Sequence, residues 1–244
     1  MNAAPERPLR LAIIGQGKMG RAIAALAGER GFEVVATIGG RDNPGGSGIS
    51  EASLRGADVA VEFTEPSAAP TNIEACMDIG VPVVCGTTGW YDQLEAVVSD
   101  VRRNDGALLY AANFSVGVAI FLQIVREAAR GVAAAGGFDA HIVETHHAAK
   151  KDAPSGTALL IQRAVADVLG AAPPVTSVRT GSVPGTHELI LDGVFEQLRL
   201  EHLARDRRVF ADGALRAARW LSGRKGVFTM DDVLGAGAPG GGSR

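Results

Sequence analysis

The amino-acid sequence predicts a doubly wound parallel α/β sheet followed by a smaller α+β domain, and three observations support this division. Short runs that are apolar on both faces alternate with helical patterns between residues 9 and 115, which is typical of a parallel sheet covered by helices. A glycine-rich turn joins the first run to the first helix. After residue 116, a long helix is followed by runs of alternating polarity, which indicate a mixed or antiparallel sheet.

The first domain is predicted to span residues 1–116 and to contain five strands. Gly31 and Gly80 are expected to end two of its helices, because glycine readily adopts the left-handed conformation that closes a helix. The predicted strands are residues 9–15, 33–38, 57–64, 81–89 and 106–115, and the predicted helices are residues 20–31, 67–80 and 91–105.

The second domain is predicted to span residues 117–211. A C-terminal helix at about 212–234 is expected to pack back on the first domain, and the tail 235–244 is expected to be disordered because it is too small and polar to pack. The predicted elements are helices at 116–133, 156–170 and 210–223, a strand at 138–147, and a set of antiparallel strands within 176–204.

The composition argues against several classes of protein and partner. The net charge of −3 argues against nucleic acid or an anionic membrane as the main partner. No apolar run reaches the roughly 18 residues that span a bilayer, and residues 1–10 lack the apolar core of a secretory signal. Cys76 and Cys85 are too few for a disulfide framework. We therefore expect a cytoplasmic protein.

A glycine motif lies between the first predicted strand and the first predicted helix. In this context the pattern G-x-G-x-x-G brings backbone N–H groups close to a pyrophosphate at the helix N-terminus, as in a Rossmann-type domain. An ordinary strand–helix turn is the alternative. The residues of this glycine loop are Gly15, Gln16, Gly17, Lys18, Met19 and Gly20.

The end of the second predicted strand bears on the choice of dinucleotide. An acidic residue that binds the ribose 2′-OH usually follows the glycine motif by about 20 positions. Here the strand runs into Gly39, Gly40 and Arg41, and the first carboxylate is Asp42. Arg41 could contact a 2′-phosphate, although a solvated loop residue is equally compatible. The expected cofactor is NADPH or NADH, with a slight preference for NADPH.

Two further loops follow the fourth and fifth predicted strands. Ligands of open parallel sheets bind beyond the carboxyl ends of the strands, and small or hydroxyl-bearing residues there allow a nicotinamide ribose to approach the backbone. Either loop alone is also compatible with a plain turn. The candidate cofactor residues are Gly86, Thr87 and Thr88 in one loop and Ala111, Ala112, Asn113 and Phe114 in the other.

The stretch ETHHAAKKDAPSGTAL, residues 144–159, concentrates titratable side chains. On a strand, His146 and His147 point to opposite faces, so they are poor co-ligands and no metal site is predicted. One histidine suits acid–base chemistry near neutral pH. Lys150 would supply positive charge for an anionic substrate. A surface strand end with solvated histidines and lysines is the bland alternative.

A helix is predicted to begin just after Pro154. Free N–H groups at its first turn would favour a carboxylate, and Gly156 and Thr157 lie in that turn. Either Asp152 or Ser155 could be the N-cap, and the residues alone do not decide between them.

Taken together, these motifs resemble the dihydrodipicolinate reductase family. The resemblance rests on E-x-H-H-x-x-K-x-D-A-P-S-G-T-A, together with GxGxMG, GTTG, AANFSVGV, HLARDRRVFADGALRAARWL and GVFTMDDVL, and it covers residues 10 to 234. It implies NAD(P)H-dependent reduction of a cyclic dicarboxylate imine in diaminopimelate and lysine biosynthesis, with hydride delivered to ring C4. It also implies a homotetramer built through the sheet of the second domain.

The resemblance assigns a role to each matching residue. His146 corresponds to the catalytic proton donor, and Lys150 corresponds to a catalytic lysine that transfers or orients a proton. His147, Gly156 and Thr157 correspond to contacts with the substrate carboxylates. The cofactor contacts correspond to the glycine loop and to residues 86–88 and 111–114.

The sequence departs from the family pattern at two places, which bear on the coenzyme preference and on the charge around the site. Gly39 stands where an acidic residue often binds the adenosine ribose, so the coenzyme preference is in doubt. Ala148 and Ala149 replace larger polar groups, so the rim of the site is expected to be less basic. The alternative functions are another NAD(P)-dependent imino- or amino-acid dehydrogenase and a non-catalytic dinucleotide-sensing protein.

Overall fold

The computed structural model describes residues 7–235. They divide into two compact units, one formed by residues 7–115 with 210–235 and the other by residues 116–209. Apart from Gly235, the predicted disordered tail lies outside the described residues, as do residues 1–6.

The first unit contains a six-stranded sheet in the order β10-β5-β4-β3-β1-β2, in which every neighbouring pair is parallel. This architecture confirms the predicted doubly wound sheet. Its strands are β1 (Leu9–Ile14), β2 (Phe32–Ile38), β3 (Val59–Glu62), β4 (Val83–Cys85), β5 (Ala107–Tyr110) and β10 (Gly226–Phe228). Its helices are α1 (Lys18–Ala27), α2 (Glu51–Leu54), α3 (Ala69–Asp78), α4 (Leu94–Arg103), α7 (Arg208–Leu221) and α8 (Met230–Val233).

The inner strands of the sheet are buried on both faces. All residues of β3 and β4 are buried, as expected for parallel strands that are covered by helices on both sides. From β1 the chain passes first to β2 on one side and then to β3 on the other. The connections after β1 and β3 therefore diverge, and ligand crevices of open α/β sheets form at such a point.

The C-terminal part of the first unit differs from the prediction. A single helix over about 212–234 is wrong, because the segment contains the end of α7, the strand β10 and the short helix α8. β10 pairs with β5 through Gly226↔Ala107 and Phe228↔Leu109. Three residues are too few to show a period of two, so the pairing and not the local pattern defines this strand.

The second unit contains a four-stranded sheet in the order β7-β6-β8-β9, with two helices on one face. Its apolar core joins the sheet to the helices through residues such as Ile142, Leu189, Val125 and Ile161. The elements are α5 (Val116–Ala135), β6 (Phe138–His146), α6 (Gly156–Leu169), β7 (Val175–Arg179), β8 (Thr186–Gly193) and β9 (Gln197–Leu203).

The direction of β7 corrects the expected antiparallel set. β8 and β9 are antiparallel to their neighbours, but β7 pairs with β6 in parallel. The chain leaves β6, passes through α6 and returns as β7, and a strand–helix–strand crossover places the second strand parallel to the first. The sheet is therefore mixed.

Among residues 7–235, none of the helices combines the length and the apolar character needed to cross a bilayer. Cys76 and Cys85 are both buried and free.

Candidate active site

The glycine loop connects β1 to α1, and two of its glycines are required on steric grounds. Gly15 has a φ of 108°, and an ideal Cβ on it would lie 2.1 Å from the carbonyl oxygen of Phe63. A Cβ on Gly20 would lie 1.9 Å from the carbonyl oxygen of Gly15. The first glycine therefore permits a tight turn, and the last one allows α1 to pack against that turn.

The middle glycine, Gly17, faces open space instead. It is the N-cap of α1, and a Cβ on it would meet nothing within 4 Å. Gln16 and Lys18 are exposed and Met19 is half-buried, while Arg21 donates a 2.8 Å hydrogen bond to the Gln16 carbonyl oxygen. The loop thus leaves room for a pyrophosphate at the helix N-terminus, and Arg21 stabilises the loop itself.

The loop after β4 lies at the same edge of the sheet, because all six strands are parallel. A Cβ on Gly86 would lie 2.0 Å from the Phe63 ring. Thr87 is buried, and its hydroxyl accepts a 2.8 Å hydrogen bond from the backbone N–H of Thr64. Thr88 is exposed. Within this loop Thr87 therefore has a structural contact, and Thr88 presents its side chain to solvent.

The loop after β5 completes this edge. Ala111 and Asn113 are half-buried and Ala112 is exposed. The amide oxygen of Asn113 accepts a 2.8 Å hydrogen bond from the backbone N–H two residues later. Phe114 is buried, and its ring centroid lies 5.6 Å from that of Phe63. Small side chains thus line this loop beside an anchored aromatic ring.

A cavity of about 570 Å³ opens beside the glycine loop. It is bounded by the loop, the end of β2, residues 43–46 and the segment from Phe63 to Asn72. Glu65 is the charged residue among those that line it, and Arg41 is not one of them. An ideal Cβ on Gly39 would lie 2.9 Å from Oε1 of Gln16, so Gln16 occupies the space that a longer side chain at 39 would need.

A buried polar cluster lies behind this cavity, and the sequence did not reveal it. Asn72 donates a 3.3 Å hydrogen bond to Glu62, which is fully buried, and Asn43 donates a 2.7 Å hydrogen bond to Asn72. The Cys85 thiol donates 3.1 Å to Glu62. Burial, together with the Glu62 charge, raises the pKa of Cys85 well above its usual value. Cys85 is therefore a poor nucleophile, and the cluster ties α3 to the 43–46 loop.

In the second unit, His146 is the last residue of β6 and is buried in a charged network. Its Nδ1 is hydrogen-bonded to Oε2 of Glu144, which has no exposed surface. Arg179 donates a 2.7 Å hydrogen bond to the other oxygen, Oε1, of Glu144. A Cβ on Gly185 would lie 2.9 Å from Nε2 of His146, so the glycine leaves space beside this nitrogen.

The charge states of this network follow from its contacts. Burial raises the pKa of Glu144, but hydrogen bonds from Arg179, Ser177 and His146 outweigh it and lower the pKa to about 2. Burial lowers the pKa of His146, and the Glu144 carboxylate partly opposes that shift. Glu144 is therefore ionised, accepts the Nδ1 proton of His146, and leaves Nε2 for proton transfer.

A second imidazole, that of His187, lies next to His146, with ring centroids 5.1 Å apart. Burial, followed by the nearby His146, lowers the pKa of His187 to about 4. Ligand atoms of Glu144, His146 and His187 lie within 4.8 Å of one another, so this trio could hold a metal ion. However, Arg179 contacts Glu144, and the Ser155 hydroxyl lies 3.0 Å from His187 Nε2. These contacts use one oxygen of Glu144 and one ring nitrogen of His187, and a guanidinium disfavours a neighbouring cation.

The structure decides the open N-cap of α6 in favour of Ser155, whose hydroxyl accepts a 3.2 Å hydrogen bond from the N–H of Ala158. Asp152 instead forms a 2.8 Å ion pair with Lys150. Gly156, the first helical residue, is exposed, and Thr157 is half-buried. The first turn of a 14-residue helix therefore starts beside the His146 network.

His147 has separate surroundings, in line with the predicted division of the two histidines. It is half-buried, and Arg207 donates a 2.7 Å hydrogen bond to its Nε2. Sequence reasoning missed Arg207, Arg179 and His187 as neighbours of the histidine pair. Arg179 and His187 meet it through cross-strand register, His146↔Arg179 and Glu144↔His187, which a single sequence does not display.

The parallel sheet and the glycine loop define the first unit as a Rossmann-type dinucleotide-binding domain. The N-terminal sequence profile of the dihydrodipicolinate reductase family matches residues 9–114, and its C-terminal profile matches residues 117–234. The chain therefore belongs to the dihydrodipicolinate reductase family. Membership in this family supports a nicotinamide dinucleotide as the cofactor.

Individual relatives agree with this assignment. The chain is 39% identical to a 4-hydroxy-tetrahydrodipicolinate reductase from Stenotrophomonas maltophilia, over 94% of this chain and 99% of that protein. It is 37% identical to the enzyme of that name from Thiobacillus denitrificans, over 93% and 98%. A dipicolinate-bound dihydrodipicolinate reductase from Paenisporosarcina sp. TG-14 shares the fold, with a TM-score of 0.77, 22% identity, and coverage of 91% and 97%.

Proposed function

We propose that this protein is a 4-hydroxy-tetrahydrodipicolinate reductase, an oxidoreductase of diaminopimelate and lysine biosynthesis. Family membership supports the reaction. The observation that carries the chemistry is the buried His146, held at Nδ1 by an ionised Glu144 beside the N-terminus of α6. This arrangement offers a proton donor and a carboxylate site within one unit.

The glycine loop and the loops after β4 and β5 would hold a reduced nicotinamide dinucleotide, which would supply the hydride. Loss of the 4-hydroxyl group as water first converts the substrate into a conjugated cyclic imine, and addition of hydride at ring C4 of that imine leaves an enamine-like anion. Nε2 of His146 protonates the adjacent ring carbon, and solvent then returns a proton to the imidazole.

The substrate dicarboxylate is held by the polar groups around His146. Gly156 and Thr157 lie in the first turn of α6, where backbone N–H groups and the helix dipole favour a carboxylate. His147, hydrogen-bonded to Arg207, contacts a carboxylate as well. Lys150 adds positive charge and assists proton transfer; its partner Asp152 is exposed, so exchange of this ion pair for a substrate carboxylate costs little.

The proposed coenzyme is NADPH or NADH, with a slight preference for NADPH. The cavity beside Gly39 lacks a carboxylate at the end of β2, and the cation Arg41 follows closely in the sequence. Glu65 lines the same cavity and limits the preference, because a carboxylate repels a 2′-phosphate.

The assembly is a cytoplasmic homotetramer built through the sheet of the second unit. One row across the sheet runs through Val178, Thr145, Thr186 and Leu203. Val178 is 37% exposed and Leu203 is 54% exposed, and apolar side chains at such positions favour association. Analytical ultracentrifugation that gives a monomer would contradict this assembly.

The reaction is tested by a coupled assay that forms the substrate from pyruvate and aspartate semialdehyde and follows NADH and NADPH oxidation in parallel. His146→Gln is expected to lower kcat by about 10²–10⁴-fold, the usual contribution of general-acid catalysis, with the coenzyme Kd unchanged. The matched control is His141→Gln, because His141 lies on the same strand and contacts Thr176. Near-wild-type turnover of the His146 variant would contradict the role of His146 as the proton donor.

The same assay separates the alternative functions. Another imine dehydrogenase would reduce other cyclic or open-chain imines faster than the dipicolinate precursor. A dinucleotide-sensing protein would bind NADPH but would oxidise it with none of these compounds.

A further inference from the structure

We propose that Glu144 is a positioning residue for the reduction, with one carboxylate oxygen fixing His146 and the other fixing the first turn of α6. The proposal rests on the proposed function, because it concerns the site where the dicarboxylate is bound and protonated. Glu144 itself has no exposed surface, so it acts through its neighbours and not by contact with substrate.

The first oxygen, Oε2, fixes the imidazole of His146. It accepts the hydrogen bond from Nδ1. A flip of the ring would leave an ionised, buried oxygen without a donor, which is costly. The bond therefore keeps one proton on Nδ1, so the proton that the imidazolium releases is the one on Nε2.

The second oxygen, Oε1, fixes the segment that leads into α6. It accepts a 2.7 Å hydrogen bond from Arg179 and a 3.3 Å hydrogen bond from the backbone N–H of Ser155, the N-cap. Arg179 also donates 2.5 Å to the carbonyl oxygen of Asp152. Residues 152–155 are thus held to β6 by the Glu144 carboxylate at Ser155 and to β7 by Arg179 at Asp152, and Glu144 also holds Arg179 in place. These contacts set where the helix N-terminus lies relative to His146.

The surrounding charges explain why an anion is needed at this position. The groups that face His146 are Glu144 on the same strand, Lys150 after the strand, Arg179 on β7 and His187 on β8. Burial and the two cations disfavour the protonated imidazole, and Glu144 alone among these groups favours it. Without the carboxylate, His146 would hold its proton too weakly to serve as the acid.

Glu144→Gln tests the first contact because it keeps the shape and removes the charge. The amide oxygen is expected to face the Arg179 guanidinium, which places the amide NH₂ against Nδ1 of His146. Nδ1 must then accept a hydrogen bond, and the ring becomes a neutral Nε2–H tautomer, a very weak acid. We expect kcat to fall about 100-fold and KM to change by less than about threefold.

The matched control is Glu127→Gln, which removes a carboxylate of the same unit away from the sheet. Glu127 lies on α5, is exposed and forms an ion pair with Arg130. This variant is expected to retain wild-type kcat and KM. Glu144→Asp restores the charge at a shorter reach and is expected to recover part of the kcat that Glu144→Gln loses.

A pH profile distinguishes positioning from a merely structural role. The protonated form of His146 is the active one, so kcat/KM falls as the pH rises through its pKa. Loss of the Glu144 charge lowers that pKa further, and the descending limb of Glu144→Gln moves to lower pH. A variant with wild-type kcat and an unshifted limb would overturn the proposal, as would a raised KM with unchanged kcat.

Imidazole ¹⁵N NMR of the full-length wild-type protein tests the same point without turnover. The signal of His146 is assigned by its absence in His146→Gln. We expect Nδ1–H in the wild-type protein, and an Nε2–H tautomer there would overturn the proposal. A wild-type protein with the expected tautomer but no reductase activity would instead contradict the proposed function.

Discussion

His187 makes the stability of the second unit depend on pH. The residue is 4% exposed, and burial, assisted by the positive charge of nearby His146, lowers its pKa from 6.5 to about 4. A shift of this size means that the folded protein binds the proton more weakly than the unfolded chain by about 3 kcal/mol. The unfolded chain therefore takes up the proton first as the pH falls below 6.5, and the folded state loses stability between pH 6.5 and pH 4.

The pH range of this destabilisation follows from the two pKa values of His187. Above about pH 7 the imidazole is neutral in both states and contributes no pH dependence. Between pH 7 and pH 5 the folded state should lose about 2 kcal/mol through this one group, and most of the remainder is lost by about pH 4. Burial also lowers the pKa values of His146 and His202. These two residues therefore also destabilise the folded protein as the pH falls, and their contribution has to be separated from that of His187.

His187→Gln isolates the contribution. Urea denaturation of the full chain, followed by circular dichroism at pH 7 and pH 5, gives the free energy of unfolding of each protein. The variant should be less stable at pH 7, because it loses the hydrogen bond to Ser155. Its loss of stability between the two pH values should be smaller than that of the wild type by about 2 kcal/mol.

The control for this experiment is His141→Gln, a half-buried histidine of β6 with a hydrogen bond to Thr176. This variant shows how far a histidine-to-glutamine change on this sheet by itself alters the free energy of unfolding at each pH. Equal slopes for His187→Gln and the wild type would refute the reasoning, because they would show that folding does not change the proton affinity of His187.

Other predictions concern glycines of the first unit and of α5. Gly39→Asp should raise the ratio of kcat/KM for NADH over NADPH by about tenfold, measured in the coupled assay, because a carboxylate there binds ribose hydroxyls and repels a 2′-phosphate. The flexible end of the Gln16 side chain has to move aside to make room for this carboxylate. Gly213→Ala should cost more than about 2 kcal/mol in thermal or urea unfolding, since its Cβ would lie 1.6 Å from the Phe114 carbonyl oxygen. The matched change Gly131→Ala, where a Cβ meets nothing within 4 Å, should stabilise by about 0.5–1 kcal/mol.

Most of the fold could be predicted from the sequence, because local patterns define its parallel strands. The apolar runs that became β1 and β3 are buried on both faces, and the turn at Gly15 has the positive φ that its position in the motif requires. Local pattern does not reveal pairing. The direction of β7 and the existence of β10 depend on which neighbour each strand meets, and both were identified only in the structure.

The same limit applies to the candidate site. Glu144 and His146 are two residues apart on a strand, so alternation alone places them on one face. Arg179 and His187 join them from strands more than 30 residues away, and their contacts depend on a register that a one-residue slip would destroy. The sequence left Asp152 and Ser155 as candidate N-caps of α6. The hydrogen bond from the Ala158 N–H to the Ser155 hydroxyl, which the structure shows, identifies Ser155 as the cap.

The strand β10 has a consequence for how the protein is made. The sheet of the first unit is assembled from residues 9–110 and from residues 226–228, with the whole second unit encoded between them. A ribosome adds about 5–20 residues per second, so β5 remains an unpaired edge for several seconds while the intervening segment is synthesised. Such an edge can recruit foreign strands, so this interval exposes the nascent chain to aggregation and is a period in which a chaperone can bind.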